Sequence, residues 1–383
     1  MYRKSEEKKC LGNKIEDKIG DKKVLIMGFN SRPIACSAKR AGYLVYAVDG
    51  FRDIDLERCT EGCLTFKGQP TEAIAREAIK KFQFDYLVLG SGFEFFDLEI
   101  ERCKILGNPP QVTMKVSNKE WLARKLVELD LDIQTPRIYT VNAIEFPAVL
   151  KPKKGGGGYL NILVKSKEDL PPKDKLEEML IQQYIPGKAA SVSVLSTGKE
   201  ALALGVNEQL LGLKWLNQSN VFGYCGNITP LNTKYEAELE RTAEKVVLEL
   251  GLIGSNGVDF VIARNGVYLI EINPRFQGSL DTVEIATGIN MFEAHVKACR
   301  GELIAKPNMK QFGVKMIVYA ALRTKIKTSL DFIGIADIPQ IGRVIDKNEP
   351  IATALGWGKT KKRAFEMARS RVEMIKAACE YLV

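Results

Sequence analysis

Two β-rich runs, Val258-Asp259-Phe260-Val261-Ile262 and Val267-Tyr268-Leu269-Ile270-Glu271-Ile272, flank Arg264-Asn265-Gly266 and commit this stretch to a β-hairpin. Its register decides what the hairpin can do, because a slip of one residue carries every side chain to the other face. A two-residue type I′ turn at Asn265-Gly266 pairs Arg264 with Val267 and sends Asp259 and Glu271 to opposite faces. A three-residue loop with Gly266 in the left-handed conformation pairs Ala263 with Val267 and sets Asp259 across from Glu271. Alternation selects the second register. Val258, Phe260, Ile262, Tyr268, Ile270 and Ile272 then form a mainly apolar core face, while Asp259, Glu271 and Asn273 share the other. Two opposed carboxylates about 5 Å apart repel by about 3 kcal/mol at an effective dielectric of about 20, so they need a cation or a shared proton. An oxygen-rich set with no soft ligand favours magnesium or manganese. Taken alone, the same pattern fits a solvated acidic hairpin face equally well.

The 383 residues suffice for two or three domains with substantial cores. No run approaches the roughly 18 apolar residues of a membrane span, and Met1 to Lys23 is a Lys/Glu mixture without a hydrophobic signal core. A soluble cytoplasmic protein that makes no use of a membrane is expected. The net charge of +9 is carried by the C-terminal part: Lys297 to Val383 holds 17 Lys/Arg against 8 Asp/Glu, which leaves 39 against 39 before it. Lys359, Lys361, Lys362, Arg363, Arg369 and Arg371 are its focus, yet no aromatic stacking run or reader motif for nucleic acid accompanies them. A solvated helix face or one wall of an anionic-substrate cleft accounts for them. Eight scattered cysteines with a single histidine do not make a Cys/His zinc site, and free thiols in a reducing compartment are the simplest state. His295 is read as a helix residue, not a catalyst.

Lys23 to Gly28, Arg32 to Ala41 and Leu44 to Asp49 read as strand, helix and strand, a βαβ unit. The turn Gly28-Phe29-Asn30-Ser31-Arg32-Pro33 lacks the later glycines of a dinucleotide fingerprint, which disfavours a nicotinamide cofactor. A helix over Thr71 to Phe82 and a strand over Asp85 to Gly90 extend the parallel sheet. Ligands of open α/β sheets sit beyond the carboxyl ends of the strands, so Asn30, Arg32, Asp49 and Glu94 are candidates for substrate recognition, each equally able to act as a cap or turn former. Ser117 and Glu120 are spaced as a capping box for a helix through Leu129. Phe146 to Pro152 reads as a strand that runs into Lys153-Lys154-Gly155-Gly156-Gly157-Gly158. Four successive glycines flanked by lysines suit backbone that closes on a polyphosphate, or else a flexible hairpin tip; no Walker A continuation follows. Further on come strands over Leu180 to Gly187 and Ser191 to Leu195. Helices are expected over Leu231 to Gly251, Thr282 to Gly301 and Lys361 to Cys379, with a strand over Val314 to Ala321.

In this order, Asn118-Lys119, Phe146 to Gly158, Gln182 to Gly187 and Asp259…Glu271-Ile272-Asn273-Pro274-Arg275 resemble the ATP-grasp superfamily, over nearly everything after residue 23. Asp337-Ile338-Pro339, Gly342-Arg343-Val344-Ile345 and Pro350 to Ala354 look like its biotin-carboxylase-related branch of predicted carboligases. The resemblance implies an α/β (α+β) fold with a charged tail over 1–23 and a parallel-sheet pre-ATP-grasp domain over 24–112. An ATP-grasp domain of antiparallel sheets follows over 113–305, with its lid subdomain at about 146–205, and a C-terminal lobe over 306–383 completes the core. It implies that Lys119 and Lys151 contact ATP phosphates, that Gly155, Gly156, Gly157 and Gly158 form the lid, and that Gln182, Tyr184 and Ile185 line the adenine hinge. Asp259, Glu271 and Asn273 match ligands of Mg2+ or Mn2+, and Arg275 matches a residue that steadies an anionic intermediate. Ala189 and Ala190 stand where many relatives place a ribose contact. Ser279 stands where biotin carboxylases carry a glutamate base, and the chain holds no biotin-attachment segment. A carboxylate–amine ligase that forms an acyl phosphate and ADP is therefore ranked above a bicarbonate-using carboxylase, and both above a non-catalytic ATP-binding sensor or scaffold. Arg32 is the candidate for a substrate carboxylate and Glu94 for an ammonium group. A homodimer is compatible with the resemblance.

Overall fold

The computed structural model describes residues 22–382 except 99, 102, 103, 130, 154, 156, 157 and 159. The charged tail, Gly156 and Gly157 therefore lie outside the described residues. Four strands open the chain: β1 (Lys23–Met27), β2 (Leu44–Asp49), β3 (Gly62–Thr65) and β4 (Tyr86–Leu89), connected by α1 (Arg32–Arg40), α2 (Ile54–Cys59) and α3 (Glu72–Lys81). Their order, β3-β2-β1-β4, is all parallel, as expected when helices form the crossovers. Cys36 on α1 and Cys59 at the end of α2 are joined by a disulfide, which corrects the expectation of free thiols throughout.

Two helices follow, α4 (Pro110–Val116) and α5 (Lys119–Glu128). Asn118, not Ser117, caps α5: its side-chain oxygen accepts from the backbone of Glu120 and Trp121, each at 3.1 Å. A small antiparallel sheet in the order β5-β8-β6-β7 comes from β5 (Ile138–Tyr139), β6 (Ala148–Pro152), β7 (Ile162–Val164) and β8 (Met179–Gln183), with α6 (Lys173–Glu177) before β8. That sheet ends at Gln183 and not near residue 205, because β9 (Lys188–Thr197) and β10 (Ala201–Leu211) belong to the larger sheet that follows.

The larger sheet takes in β11 (Tyr224–Thr229), then, after α7 (Glu236–Glu249), β12 (Ile253–Ala263) and β13 (Gly266–Asn273). The expected single helix over 282–301 is two, α8 (Leu280–Thr287) and α9 (Met291–Cys299). Gly288 (φ +77°) closes the first and the Asn290 side chain caps the second. The C-terminal residues supply β14 (Phe312–Tyr319), β15 (Thr324–Ile326), β16 (Ile335–Ala336), β17 (Val344–Ile345), β18 (Pro350–Gly358), α10 (Lys361–Ala377) and β19 (Cys379–Tyr381). Strand order in the eight-stranded sheet is β13-β12-β9-β10-β11-β14-β18-β16, with β17-β15-β19 as a separate sheet. No described helix is long and apolar enough to cross a membrane.

Burial follows this layering. One apolar cluster joins β1, β2 and α1 to α8 and α9 through Ile34, Phe276, Val283 and Phe292. Another packs α7 and α5 against β9, β12 and β13, and a third packs α10 on β14 and β18. His295 lies 2% exposed on α9: its Nδ1 accepts from Ser255 N at 2.8 Å and its Nε2 stands 3.2 Å from Leu106 O, which suits the neutral Nε2–H tautomer. Burial pushes its pKa from 6.5 down to about 4. An unfolded chain binds the proton near 6.5 and the folded chain only near 4, so stability must fall as pH drops through that window. Denaturant unfolding of wild type and His295→Gln at pH 7 and pH 5 should show wild type losing about 2 kcal/mol more than the variant; equal losses would contradict a buried neutral imidazole.

Candidate active site

The hairpin reaches its functional geometry by a route other than the expected one. Ala263 pairs with Gly266 (φ +134°), so the turn residues are Arg264 and Asn265 and the three-residue loop is absent. That register alone would separate the two carboxylates. A β-bulge at Ile270 restores them: Phe260 pairs with Leu269, Ile270 is the extra residue, and Asp259 lies directly across from Glu271. The core face changes accordingly. Val267 and Leu269 are buried with Val258, Phe260 and Ile272, in place of Tyr268 and Ile270, and Ile270 turns to a cavity.

This cavity, of about 830 Å³, receives side chains from β6, β9 to β14, the segment after β8 and the β1–α1 turn. Asp259, Glu271 and Asn273 line it together. Asn273 Nδ2 donates to Asp259 Oδ2 at 3.0 Å, and Gln209 Nε2, a residue the sequence did not single out, donates to Asp259 Oδ1 at 2.9 Å. Burial, reinforced by Glu271, pushes the Asp259 carboxyl up to about 7. Lys119 and Lys151 are both buried. Lys119 Nζ stands 3.2 Å from Glu271 Oε1 and donates to Gly155 O. Burial lowers the Lys151 ammonium to about 8, with Glu271 opposing the shift and Lys119 adding to it.

Tyr184 and Ile185 line the same cavity, as does Gly158. Gly158 (φ +68°) packs so closely on Phe222 that an added Cβ would meet Phe222 O at 2.2 Å, whereas Gly155 faces open space. Gln182 lies instead in a narrow recess with Lys119, Lys151 and Glu271. It is 3% exposed, and its Oε1 is a buried acceptor with no hydrogen-bond donor among the described residues. Two carboxylates, a carboxamide and this orphaned acceptor, set beside two buried lysines, match a metal–nucleotide better than a solvated face. Among the described residues, no group of three His, Cys, Asp or Glu side chains is placed to hold a metal, so any ion here would draw on Asn273 as a third donor.

The substrate candidates divide. Asn30 lines the cavity, with its Nδ2 on Asp337 Oδ1 at 3.0 Å. Arg32 is not available to a ligand: its guanidinium takes Asp281 bidentately at 2.7 and 3.1 Å and Asp337 at 2.9 Å, with Asp55 3.5 Å away. Burial alone would raise the Asp281 pKa, but Arg32 and Lys315, whose Nζ lies 2.8 Å from Asp281 Oδ2, hold it well below the usual range. Asp49 is a turn organiser, accepting the backbone N–H groups of Ser31, Phe51 and Arg52, each at 2.7 Å. Glu94 is bound to Arg275 Nε and is likewise not open to an ammonium group. Ser279 lines the cavity, with its hydroxyl 3.0 Å from Ser193 Oγ and 3.3 Å from Gln277 Oε1. Lys315 and Tyr224 escaped notice in the sequence because no short motif contains them, and Asp337 entered only as part of Asp337-Ile338-Pro339, with no role in the site.

Residues 116–279 match the family model described as an ATP-grasp domain. An uncharacterised protein of Methanocaldococcus jannaschii is 30% identical over 358 residues, 88% of each chain. The biotin carboxylase domain of Hydrogenobacter thermophilus 2-oxoglutarate carboxylase, solved with MgADP, ADP and bicarbonate, has a similar fold. It matches 94% of this chain and 90% of its own at a TM-score of 0.72 and 18% identity. L-amino acid ligase from Bacillus licheniformis matches 94% of this chain and 99% of its own at a TM-score of 0.67 and 16% identity.

Replacing Arg32 with Met should leave Asp281 and Asp337 short of their shared cation and destabilise the protein by about 3–5 kcal/mol. Asn30→Ala should stay within about 1 kcal/mol of wild type. Urea unfolding of the two variants distinguishes a buried ion hub from a ligand-binding arginine.

Proposed function

Because the chain belongs to the ATP-grasp family, we propose that it is an ATP-dependent carboxylate–amine ligase working through an acyl phosphate. The observation that carries this is the Asp259–Glu271 pair, opposed across a bulge and flanked by the buried Lys119 and Lys151 in one cavity. In the proposed reaction a carboxylate oxygen of the first substrate attacks the γ-phosphorus of ATP and ADP departs. An amine nitrogen then attacks the acyl carbon, phosphate leaves with the C–O bond electrons, and the amine gives up a proton to phosphate or water. Such chemistry asks for positioning and charge neutralisation more than for a side-chain nucleophile, which suits a chain with one histidine, buried elsewhere.

Within that proposal Lys119 and Lys151 bind the phosphates, and Gly155 and Gly158, the described glycines of their loop, lie over them. Gln182, Tyr184 and Ile185 receive the adenine, the unpartnered Gln182 Oε1 accepting from its amino group. Asp259, Glu271 and Asn273 would hold magnesium or manganese, which when bound neutralises phosphate charge. Arg275 lines the cavity beside them and, while still held by Glu94, steadies the anionic intermediate through its nearby positive charge and not by a direct pairing. Ser279 favours the ligase over the bicarbonate-using carboxylase: a serine hydroxyl tied to Ser193 and Gln277 is no base for bicarbonate. The proposal extends to a cytoplasmic homodimer, in line with the dimeric carboxylase domain of similar fold.

Incubation with ATP, magnesium and a metabolite extract should yield ADP and a new mass equal to carboxylate plus amine minus water. AMP with pyrophosphate would rule out the acyl phosphate, and ADP release that needs bicarbonate but no amine would favour the carboxylase. Glu271→Ala should lower turnover at least about 10²-fold while circular dichroism reports an intact fold; retained turnover would reject the assignment of Glu271.

A further inference from the structure

We propose, resting on the ligase assignment, that the nucleophile is an arylalkylamine without a carboxylate of its own, and not an amino acid. Where the N-terminal domain, β11, β14 and the segment after β13 wall the cavity, its cations are Arg275 and Lys315. Each already has a buried anionic partner. Glu94 holds Arg275 Nε, while Arg275 Nη1 and Nη2 reach Phe276 O at 3.2 Å and Asn273 Oδ1 at 3.1 Å. Lys315, 3% exposed, is held by Asp281, and Asp281 is shared with Arg32, which also holds Asp337. The α-carboxylate of an amino acid would have to displace Glu94 or Asp281 and leave that carboxylate buried and uncompensated.

Beside the polar Asn30, Ser91, Gln277 and Ser279, this wall carries a cluster of rings and aliphatic groups. Phe29 is packed edge-on by Phe51 at 5.3 Å and Phe66 at 5.9 Å between ring centroids, and Pro33, Ile34 and Ile317 extend the same lining. Tyr224 presents a ring whose hydroxyl is already engaged by Asn227 Oδ1 at 2.8 Å. A preformed lining of rings and aliphatic groups suits a flat ring. Among the described lining residues the carboxylates are Asp259 and Glu271. Both are assigned to the metal, so the nitrogen enters as the neutral amine toward the acyl phosphate, and its ring is left to the N-terminal wall.

Calorimetric titration of the protein preloaded with ADP and magnesium tests this with matched pairs: benzylamine against phenylglycine, phenethylamine against phenylalanine, tryptamine against tryptophan. At least one amine should bind about tenfold more tightly than its amino acid. Ile317→Arg, which adds an unpaired cation to the lining, should reverse that preference. Ile317→Ser, the milder change, should weaken amine binding about tenfold with ADP affinity unchanged. Amino acids binding as well as or better than every amine would overturn the proposal. So would no binding in either series by protein that has taken up ADP. Failure to bind ADP at all would instead overturn the nucleotide assignment on which the proposal rests.

Discussion

Two carboxylates set directly across from each other on neighbouring strands repel, and a protein that keeps them so must supply the opposing charge. Here the supply is partly internal. Lys119 reaches Glu271, and Gln209 and Asn273 donate to Asp259, yet the Asp259 carboxyl is still pushed up to about 7. The lysines are in the converse position, buried near one another, with Lys151 lowered to about 8 by burial and steadied by Glu271. Neither set is comfortable alone. Removing the acids would leave two buried ammonium groups, and removing the lysines would leave the acids to repel. Under the proposed function, a ligand that carries both phosphates and a divalent cation would resolve both imbalances together.

A second ionic arrangement borders the same cavity. Arg32, the first residue of α1, ties the N-terminal sheet to α8 through Asp281 and to the C-terminal residues through Asp337, and Lys315 of β14 completes the set. Asp55 supports the same junction by accepting the backbone N–H groups of Asp337 and Ile338, each at 2.9 Å. Three stretches of chain far apart in sequence thus meet at one largely buried ionic cluster beside the cavity. It fixes Pro33 and Ile34 as cavity wall, since they follow Arg32 directly on α1. It also consumes the charges that a zwitterionic substrate would otherwise use.

What the sequence disclosed and what it hid separate along physical lines. Elements with strong local periodicity were legible, among them β1, α1, β2 and α10, and so was the sharing of a face by Asp259, Glu271 and Asn273. The means by which they come to share it were not. A bulge at Ile270 and a shorter turn shift register in opposite senses and cancel between Phe260 and Asp259, so alternation gave the right pairing from the wrong loop. Asn118 outcompeted Ser117 as a cap, a one-residue choice that local spacing leaves open. Arg32 and Glu94 were read as free because their partners, Asp281, Asp337 and Arg275, lie far along the chain. Long-range ion pairs carry no local signature, and polar residues at strand ends look alike whether they bind ligands or each other.

The floor of the cavity supports a reaction in which activation falls on the electrophile. Ser193, Ser279 and Gln277 bond among themselves, Asn207 links Ser191 and Ser193 to Thr229, and Thr229 continues through Thr282 and Asn227 to Tyr224. Of these, Ser191, Tyr224, Gln277 and Ser279 line the cavity and the others are buried; every member is neutral and each hydroxyl already has a partner, so none is set to take a proton at neutral pH. Apart from the Asp259–Glu271 pair and Lys151, which the proposed function gives to metal and phosphates, the described lining offers no free base. In the proposed reaction, a nucleophile entering here would gain little reactivity from the protein and would need a carbon already activated by a good leaving group. Phosphate is such a leaving group, and a floor of this kind is compatible with acyl transfer from a mixed anhydride while being poorly suited to deprotonating bicarbonate or a weakly acidic carbon.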